Sequence, residues 1–309
     1  MDKSALPLCV GLGEILFDVI DGKPHLGGAP ANFAYMCSKL GFSSCPVSSV
    51  GHDELGELAI TTLDKAGLNT AYISRDSHPT GTVEVKIDEH GIPSYVFSSD
   101  CAFDHILFNG DLRNLASLCS IVCFGSLAQR HPQSRDSIMD FVKTASDAGA
   151  LCVFDVNLRQ NFFNEEIIRG SLCQSTVLKC NDEELPVLSR VLGAPREPDG
   201  FFSFIRDSYG CQMLVETRGA DGSVIYSENG VSELEGIKVK IADTVGAGDA
   251  FTAVLTCSLV KGLPLELSHA LASKAAAAVC SQHGAMVALP DEVTSALISR
   301  QAVLPRQKR

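Results

Sequence analysis

Short apolar, β-branched runs recur along the chain and predict strands that alternate with helices. They begin near residues 8, 46, 120, 150, 176, 211 and 223 and read LCVGL, PVSSVG, SIVCFGS, ALCVFDVN, TVLKCN, CQMLVETRG and SVIYS. In PANFAYMCSKLG, Pro30 suits a first helical turn, and in SRDSIMDFVKTASDAG apolar residues recur three or four apart until Gly149. This alternation favours an α/β fold with a mostly parallel, doubly wound sheet.

One stretch departs from this pattern and predicts an antiparallel hairpin. GTVEVKIDEHGIPSYVFSSD alternates apolar and polar positions, with Val83, Val85 and Ile87 before an EHG turn and Tyr95 and Phe97 after it. The run EILFDVIDG, residues 14–22, is a candidate for further strands. We expect either a small antiparallel sheet that forms a lid over a cleft or an edge hairpin of the main sheet.

Composition and charge exclude several classes of protein. The chain has 309 residues and a formal net charge of -12, so nucleic acid or an anionic membrane is not expected as the main partner. The N-terminus does not read as a signal peptide, and no run approaches the ~20 apolar residues of a membrane helix, so we expect a cytoplasmic protein. Twelve cysteines, mostly within apolar runs and without a CxxC pair, predict reduced, buried thiols and not a zinc site.

The main candidate for chemistry is IADTVGAGDAF, residues 241–251, which precedes a helical pattern. The small residues Gly246, Ala247 and Gly248 let a backbone approach a ligand and leave N–H groups that favour an anion. Asp249 could accept a proton from a hydroxyl. Alternatively, Asp249 only stabilises a helix start behind a glycine loop, which the isolated motif favours. Since the chain has neither GxxxxGK[ST] nor GxGxxG, a P-loop enzyme and a dehydrogenase are not expected.

Other polar side chains occupy strands or follow them. Asn32 in LGGAPANFAY could bond a polyol or be a satisfied turn residue, and Asp18, within the apolar run EILFDVI, either binds a ligand or points to water. Asn157 and Arg159 follow the strand ending at Asp155, at the edge where α/β sheets bind ligands. Arg159 suits phosphate oxygens, but it could instead pair with Asp155.

Two further motifs follow later strands. In KCNDEE, Asn181 and Glu184 could hold magnesium through water, or could be a charged helix start. In VETRGADGS, Thr217, Gly219 and Gly222 could line a nucleotide phosphate, or could form a hairpin turn.

Together and in this order, the motifs resemble the PfkB, or ribokinase-like, family of carbohydrate kinases. Gly27, Gly28 and Asn32 match its GG…N signature, Asn181 and Glu184 its NxxE motif, and residues 243–249 its DTxGAGD signature. The resemblance spans about residues 13–284. It implies a single ribokinase-like domain over residues 1–309, a three-layer α/β/α sandwich with a β-sheet lid formed from about 14–22 and 82–100.

The resemblance also implies the site, with ATP and magnesium as cofactors and a monosaccharide as the substrate. The catalytic residues would be Asp249 as base, Gly246, Ala247 and Gly248 as an anion hole, and Arg159. The sugar would contact Asp18, Gly28, Asn32, Phe97, Phe103 and Asn157. The nucleotide and magnesium would lie against Asn181, Glu184, Thr217, Gly219, Gly222 and Gly284, with Glu184 reaching the magnesium through water. Asp243 and the Val245 carbonyl match a monovalent cation site, for which potassium is the candidate.

Within the family, GEILFD, GGAPANFAY and FDVNLR are similar to the fructokinase subgroup, which implies conversion of fructose to fructose 6-phosphate. The alternatives are a kinase for 2-keto-3-deoxygluconate or ribose, and a non-catalytic regulator that binds a sugar or a nucleotide. The edge of a lid sheet could pair with another chain, so a homodimer through the lid is a further expectation.

Overall fold

The structure is a computed structural model that describes residues 6–87 and 93–298. Within these ranges the strands are β1 (Leu8–Leu12), β2 (Leu16–Ile20), β3 (Lys23–Gly27), β4 (Ser43–Gly51), β5 (Ile73–Asp76), β6 (Gly81–Ile87), β7 (Pro93–Phe97), β8 (Ile121–Phe124), β9 (Leu151–Asp155), β10 (Val177–Asn181), β11 (Met213–Thr217), β12 (Ser223–Ser227) and β13 (Gly230–Leu234). Every strand predicted from an apolar run is present, which confirms those predictions.

The helices within the same ranges separate most of these strands. They are α1 (Ala29–Lys39), α2 (Glu54–Lys65), α3 (Gly110–Leu118), α4 (Pro132–Asp147), α5 (Glu165–Leu172), α6 (Glu184–Leu192), α7 (Pro198–Tyr209), α8 (Ala247–Val260), α9 (Leu265–Cys280) and α10 (Asp291–Ile298). The predicted helices at PANFAYMCSKLG and SRDSIMDFVKTASDAG correspond to α1 and α4. None of the helices in the described part of the chain has the length and apolar character needed to cross a membrane.

The large sheet has nine strands in the order β13-β12-β11-β10-β9-β8-β1-β4-β5. Neighbours from β11 to β5 are parallel, whereas β12 and β13 are antiparallel to their neighbours. The carboxyl ends of the parallel strands therefore meet at one edge of the sheet, where α/β proteins bind ligands.

Helices cover both faces of this sheet. Alternate residues of β8 belong to opposite cores: Val122 and Phe124 pack with α4, while Ile121 and Cys123 pack with α1 and α8. This is the expected three-layer α/β/α sandwich. All twelve cysteines are free and ten are buried, in agreement with the expectation of reduced, buried thiols.

A second, four-stranded sheet has the order β3-β2-β6-β7. The predicted hairpin, β6–β7, belongs to this sheet, so the alternative of an edge hairpin of the main sheet is wrong. On the apolar face of the hairpin, Val83 is buried, whereas Tyr95 is 51% exposed. The EHG turn lies outside the described residues. Strand β3 was not predicted, because KPHLG has no apolar alternation, and it is held by backbone pairing with β2.

A close backbone approach holds α1 against β1. A Cβ atom added at Gly11 would lie 1.9 Å from the carbonyl oxygen of Pro30. Only glycine permits this contact, which places the first turn of α1, and with it Asn32, beside the carboxyl end of β1.

Gly11→Ala should therefore destabilise the protein by roughly 3 kcal/mol, because the added methyl group overlaps backbone that cannot move independently. Urea unfolding measures the change. Gly110→Ala is the matched control: its Cβ would meet no atom within 4 Å and it lies in the first turn of α3, so its stability should be unchanged or slightly higher. Equal stability of the two variants would contradict the proposed packing.

Candidate active site

Helix α8 begins at the predicted glycine-rich loop. Gly246 adopts a left-handed conformation with φ of 81°, and a Cβ there would lie 2.4 Å from the Cβ of Ala285. A Cβ at Gly248 would lie 3.0 Å from Nζ of Lys179. Ala285 and Lys179 therefore pack closely against the backbone of this loop. The N–H group of Ala247 donates to the Thr244 carbonyl at 3.3 Å, so an incoming phosphoryl group would have to replace that acceptor.

Asp249, in the first turn of α8, has a perturbed carboxylate. Burial raises its pKa to about 6, and the nearby Asp155 carboxylate adds to this rise. A hydrogen bond from Asn32 Nδ2 to Oδ2, at 2.8 Å, opposes the rise, as do the charges of Lys179 and Arg159. A carboxylate with a pKa just below neutral is ionised at neutral pH yet accepts a proton more readily than an ordinary aspartate.

A buried ion pair lies beneath the start of α8. Lys179 Nζ is 3.0 Å from Asp155 Oδ1, and the Thr252 hydroxyl is 3.0 Å from both Asp155 Oδ2 and the Gly248 carbonyl. Although burial lowers the pKa of Lys179, the Asp155 carboxylate raises it above its usual value. The predicted alternative of an Asp155–Arg159 pair is wrong, because Asp155 pairs with Lys179.

The first turn of α1 faces Asp249. Gly28 has φ of 118°, and a Cβ there would lie 2.4 Å from the Glu14 carbonyl oxygen. Asn32 is 4% exposed, and its Oδ1 has no hydrogen-bond partner among the described residues. An unpaired buried acceptor beside Asp249 is suited to a ligand hydroxyl.

Glu14 is a buried carboxylate that was not predicted as a site residue. It is 4% exposed, and burial raises its pKa to about 7, with the Asp249 charge adding to the rise and Arg159 opposing it. Its Oε2 has no partner among residues 6–87 and 93–298. The sequence contains a feature that could have identified Glu14: a charged residue in the apolar segment GEILF needs a partner or a ligand.

Asp18 lies on β2, opposite His25 of β3. A Cβ at Gly27 would lie 2.9 Å from its Oδ2, so the carboxylate covers the end of β3. Burial raises the pKa of Asp18, while the charges of Arg159 and His25 lower it. The charge of Arg159 therefore acts on Glu14, Asp18 and Asp249, which identifies one shared electrostatic environment.

The loop after β9 carries Asn157 and Arg159 and joins the two sheets. Arg159 is exposed, and Asn157 and Gln160 have positive φ angles of 43° and 47°. Gln160 Nε2 donates to the Tyr95 carbonyl of β7 at 2.6 Å, and the Leu158 N–H donates to Glu184 at 2.7 Å. Such conformations cluster at binding sites, where surrounding contacts impose them.

Asn181 and Glu184 form a compact backbone-capping unit at the start of α6. Asn181 Oδ1 accepts from the N–H of Glu184 at 2.7 Å, and Glu184 Oε2 accepts from the N–H of Asn181 at 2.9 Å. Glu184 is 8% exposed, and burial raises its pKa. Both of its oxygens accept backbone N–H bonds, so a water-bound magnesium would use their remaining lone pairs.

Thr217, Gly219 and Gly222 belong to the β11–β12 hairpin, as the hairpin alternative predicted. Thr217 lies beside Asn181 in the sheet. Gly219 is exposed, whereas a Cβ at Gly222 would lie 2.0 Å from the Leu234 carbonyl oxygen. Gly222 is therefore required for packing; it is half-buried, as Thr217 is, whereas Gly219 is exposed.

Asp243 ties the loop before α8 to the segment that follows α9. Its Oδ1 accepts from Val245 N at 3.1 Å and its Oδ2 from Gly284 N at 3.0 Å. Although burial raises the pKa of Asp243, these backbone hydrogen bonds lower it below its usual value. Beside this loop lies an open groove of about 670 Å³, lined by Val239, Lys240, Ile241, Ala242, Ser281 and His283.

The two aromatic residues that were expected to contact the sugar differ in their exposure. Phe97, on β7, is half-buried and packs edge-to-face on Phe162 at 5.4 Å. Phe103 is 1% exposed, and the Arg130 guanidinium lies 4.8 Å from its ring centroid. The prediction that Phe103 contacts the sugar is therefore not supported, because the core beneath Gly81 encloses the ring.

The chain matches known proteins over most of its length. The model described as "pfkB family carbohydrate kinase" matches residues 12–292. The chain is 31% identical to a fructokinase from Escherichia coli, covering 90% of this chain and 95% of that protein. It is 29% identical to fructokinase-2 from Oryza sativa subsp. japonica, covering 96% and 95%.

A solved structure shares the fold. It is a fructokinase double mutant from Vibrio cholerae O395 in a fructose-, ADP- and potassium-ion-bound form. The two chains are 25% identical, the match covers 95% of this chain and 99% of that one, and the TM-score is 0.77.

Asp249→Asn should stabilise the unliganded protein at pH 8. The folded-state pKa of about 6 lies above the ordinary value of 3.8, so ionisation of Asp249 disfavours folding increasingly between pH 4 and 6. The variant removes that charge and should be more stable by roughly 1–3 kcal/mol at pH 8, with a smaller difference at pH 5. Urea unfolding at both pH values measures this; a less stable variant at pH 8 would contradict the raised pKa.

Proposed function

The chain belongs to the pfkB family of carbohydrate kinases, and we propose that it transfers the γ-phosphoryl group of ATP to the primary hydroxyl of fructose to give fructose 6-phosphate. The observation that carries the proposal is the desolvated Asp249 carboxylate at the start of α8, held by Asn32. The fructose and ADP named for the Vibrio cholerae structure support the choice of substrates.

A neutral sugar suits the charges of the cleft. Three carboxylates, Glu14, Asp18 and Asp249, share it with the exposed cation Arg159. Asp18 and the Asn32 amide would bind sugar hydroxyls, and Gly28 would let the backbone approach them. Asn157 and Phe97 would border the sugar. A carboxylated sugar such as 2-keto-3-deoxygluconate would meet more repulsion from these carboxylates, which favours fructose over that alternative.

ATP would extend from Asp249 along the carboxyl edge of the large sheet. Thr217, Gly219 and Asn181 would border its phosphates, and the groove beside Gly284 would receive the base. Glu184 fits an outer-sphere magnesium partner, since its oxygens keep lone pairs for a water shell. When bound, magnesium neutralises charge on the phosphate oxygens.

A monovalent cation would fit the loop before α8. Asp243 supplies one negative charge and Val245 a backbone carbonyl, and hard oxygen donors suit potassium. Such an ion would shield the phosphates from Asp243. The potassium ion named for the Vibrio cholerae structure supports this assignment.

In the proposed reaction, Asp249 accepts the proton of the primary hydroxyl as the hydroxyl oxygen attacks the γ-phosphorus. A bond forms between that oxygen and phosphorus, and the bond from phosphorus to the β–γ bridging oxygen breaks, so ADP leaves. The N–H groups of Gly246, Ala247 and Gly248 would donate to the transferring phosphoryl oxygens, aided by the helix dipole. The Arg159 guanidinium would donate hydrogen bonds to the transferred phosphoryl group beside the sugar.

The small sheet would act as a lid over the sugar. Tyr95 is exposed on the face of β7 that also carries Phe97, and Gln160 joins β7 to the Arg159 loop. Closure would bury this face and exclude water, which would limit hydrolysis of ATP.

A coupled ADP-release assay with ATP, magnesium and a panel of fructose, ribose, mannose, glucose and 2-keto-3-deoxygluconate tests the proposal. We expect the highest kcat/KM with fructose. Asp249→Asn should lower kcat with fructose by roughly 10²–10⁴-fold, because the hydroxyl proton loses its acceptor, while ATP still binds.

Asp111→Asn is the matched control, because Asp111 lies exposed in the first turn of α3 and should leave turnover unchanged. Turnover of another sugar in preference to fructose would overturn the substrate. No turnover with any sugar would favour a non-catalytic binding role, and near-normal turnover by Asp249→Asn would overturn the base.

A further inference from the structure

A cluster of histidine and aspartate side chains lies at the junction of the two sheets, apart from the residues assigned above. Residues 77–80 link β5 of the large sheet to β6 of the small sheet, and residues 98–101 lead from β7 back to the body. His78 belongs to the first link and Asp100 to the second. His105 ends the short 3₁₀ helix Ala102–His105 that follows.

Asp100 bridges the two imidazoles. Its Oδ1 lies 2.7 Å from His105 Nε2 and 3.8 Å from His78 Nε2. The two rings are stacked, with centroids 3.7 Å apart and planes 8° apart. One ligand atom from each of the three residues lies within 4.8 Å of the others.

The other ring nitrogens already have acceptors. Asp76 Oδ1 lies 2.5 Å from His78 Nδ1, and Gln133 Oε1 lies 3.2 Å from His105 Nδ1. The Gln133 amide nitrogen donates to the His105 carbonyl, which orients its oxygen toward the ring. With Nδ1–H donated to Gln133, a neutral His105 would direct its Nε2 lone pair at Asp100 Oδ1, so a proton or a metal cation would have to lie between these two acceptors, while His78 Nε2 stands 3.8 Å from the same oxygen.

We propose that His78 Nε2, His105 Nε2 and a carboxylate oxygen of Asp100 form a binding site for a divalent transition-metal ion, zinc being the best match. Two imidazoles and one carboxylate are ordinary zinc ligands, and a water molecule can complete a tetrahedron. Asp76 and Gln133 supply the acceptors that commonly orient metal-bound histidines.

The site needs only local adjustment. Zinc–nitrogen and zinc–oxygen bonds of about 2.0–2.1 Å place neighbouring ligand atoms about 3.3 Å apart. The two separations from Asp100 then change by under roughly 1 Å, and the one between the imidazole nitrogens by at most roughly 1.5 Å. The stacked rings must also tilt. The Asp100 side chain is 64% exposed and that of His78 34% exposed, so both are open to solvent.

A bound ion would tie both links to the body of the protein. His78 and Asp100 lie on the two chain segments that enter and leave the β6–β7 hairpin, whereas His105 is packed against α4 through Gln133. Occupancy would therefore restrict the movement of the small sheet relative to the large one.

Cobalt(II) and zinc(II) titrations of the full chain test the site, monitored by calorimetry and by cobalt d–d absorption. We expect one equivalent to bind, to raise the Tm by several degrees and to slow hydrogen exchange in residues 77–80 and 98–101. Affinity should fall at least tenfold in His78→Ala, His105→Ala and the isosteric Asp100→Asn, and on lowering the pH to 5, where protons compete.

His283→Ala is the matched control, because His283 is exposed and lines the groove after α9, not the links that carry the cluster. Far-ultraviolet circular dichroism of the metal-free variants checks folding. Binding that survives in all three cluster variants would overturn the proposal. A sulfur-to-cobalt charge-transfer band would also overturn it, since it would place the ion at the buried thiols Cys9, Cys37 and Cys257.

Discussion

The buried ion pair between Lys179 and Asp155 holds together the edge of the large sheet beneath Asp249. It joins β9 to β10, and Thr252 extends it to α8. A charge in such a place is tolerated only with its partner, so loss of either residue would leave the other uncompensated. Burial is the main cause of the raised pKa of Asp249, and the pair modifies it: Asp155 adds to the rise and Lys179 opposes it. The same two side chains therefore contribute to packing and to the charge environment of Asp249.

Close backbone contacts place the remaining groups around this pair. Gly11 lets α1 approach β1, and Gly28 lets its first turn approach Glu14. Asn32 thereby comes within hydrogen-bonding distance of Asp249, 217 residues away in the chain. The unliganded site thus contains carboxylates and amides whose burial is only partly compensated, as expected where a ligand supplies the missing partners.

The sequence predicted those features that local patterns encode. Apolar runs predicted seven of the nine strands of the large sheet, all but β5 and β13, and the motifs selected Asn32 and Asp249, which the structure brings within hydrogen-bonding distance. Tertiary pairing was not predictable: nothing local to Lys179 or Glu14 identifies the groups that face them. The sugar contact of Phe103 was implied by the resemblance alone, and no local pattern distinguishes an aromatic residue of a pocket wall from one in the core, where Phe103 lies. Strand β3 was missed because KPHLG forms a strand only through its partner β2.

The central claim is that Asp249, with its pKa raised to about 6 by burial, takes the proton in the transfer step. The pH dependence of kcat/KM for fructose, measured in parallel for the wild type and for the residual activity of Asp249→Asn, tests it most directly. The account predicts that wild-type kcat/KM falls tenfold per pH unit below about pH 6 and that the variant lacks this limb. The same limb in both proteins would contradict it.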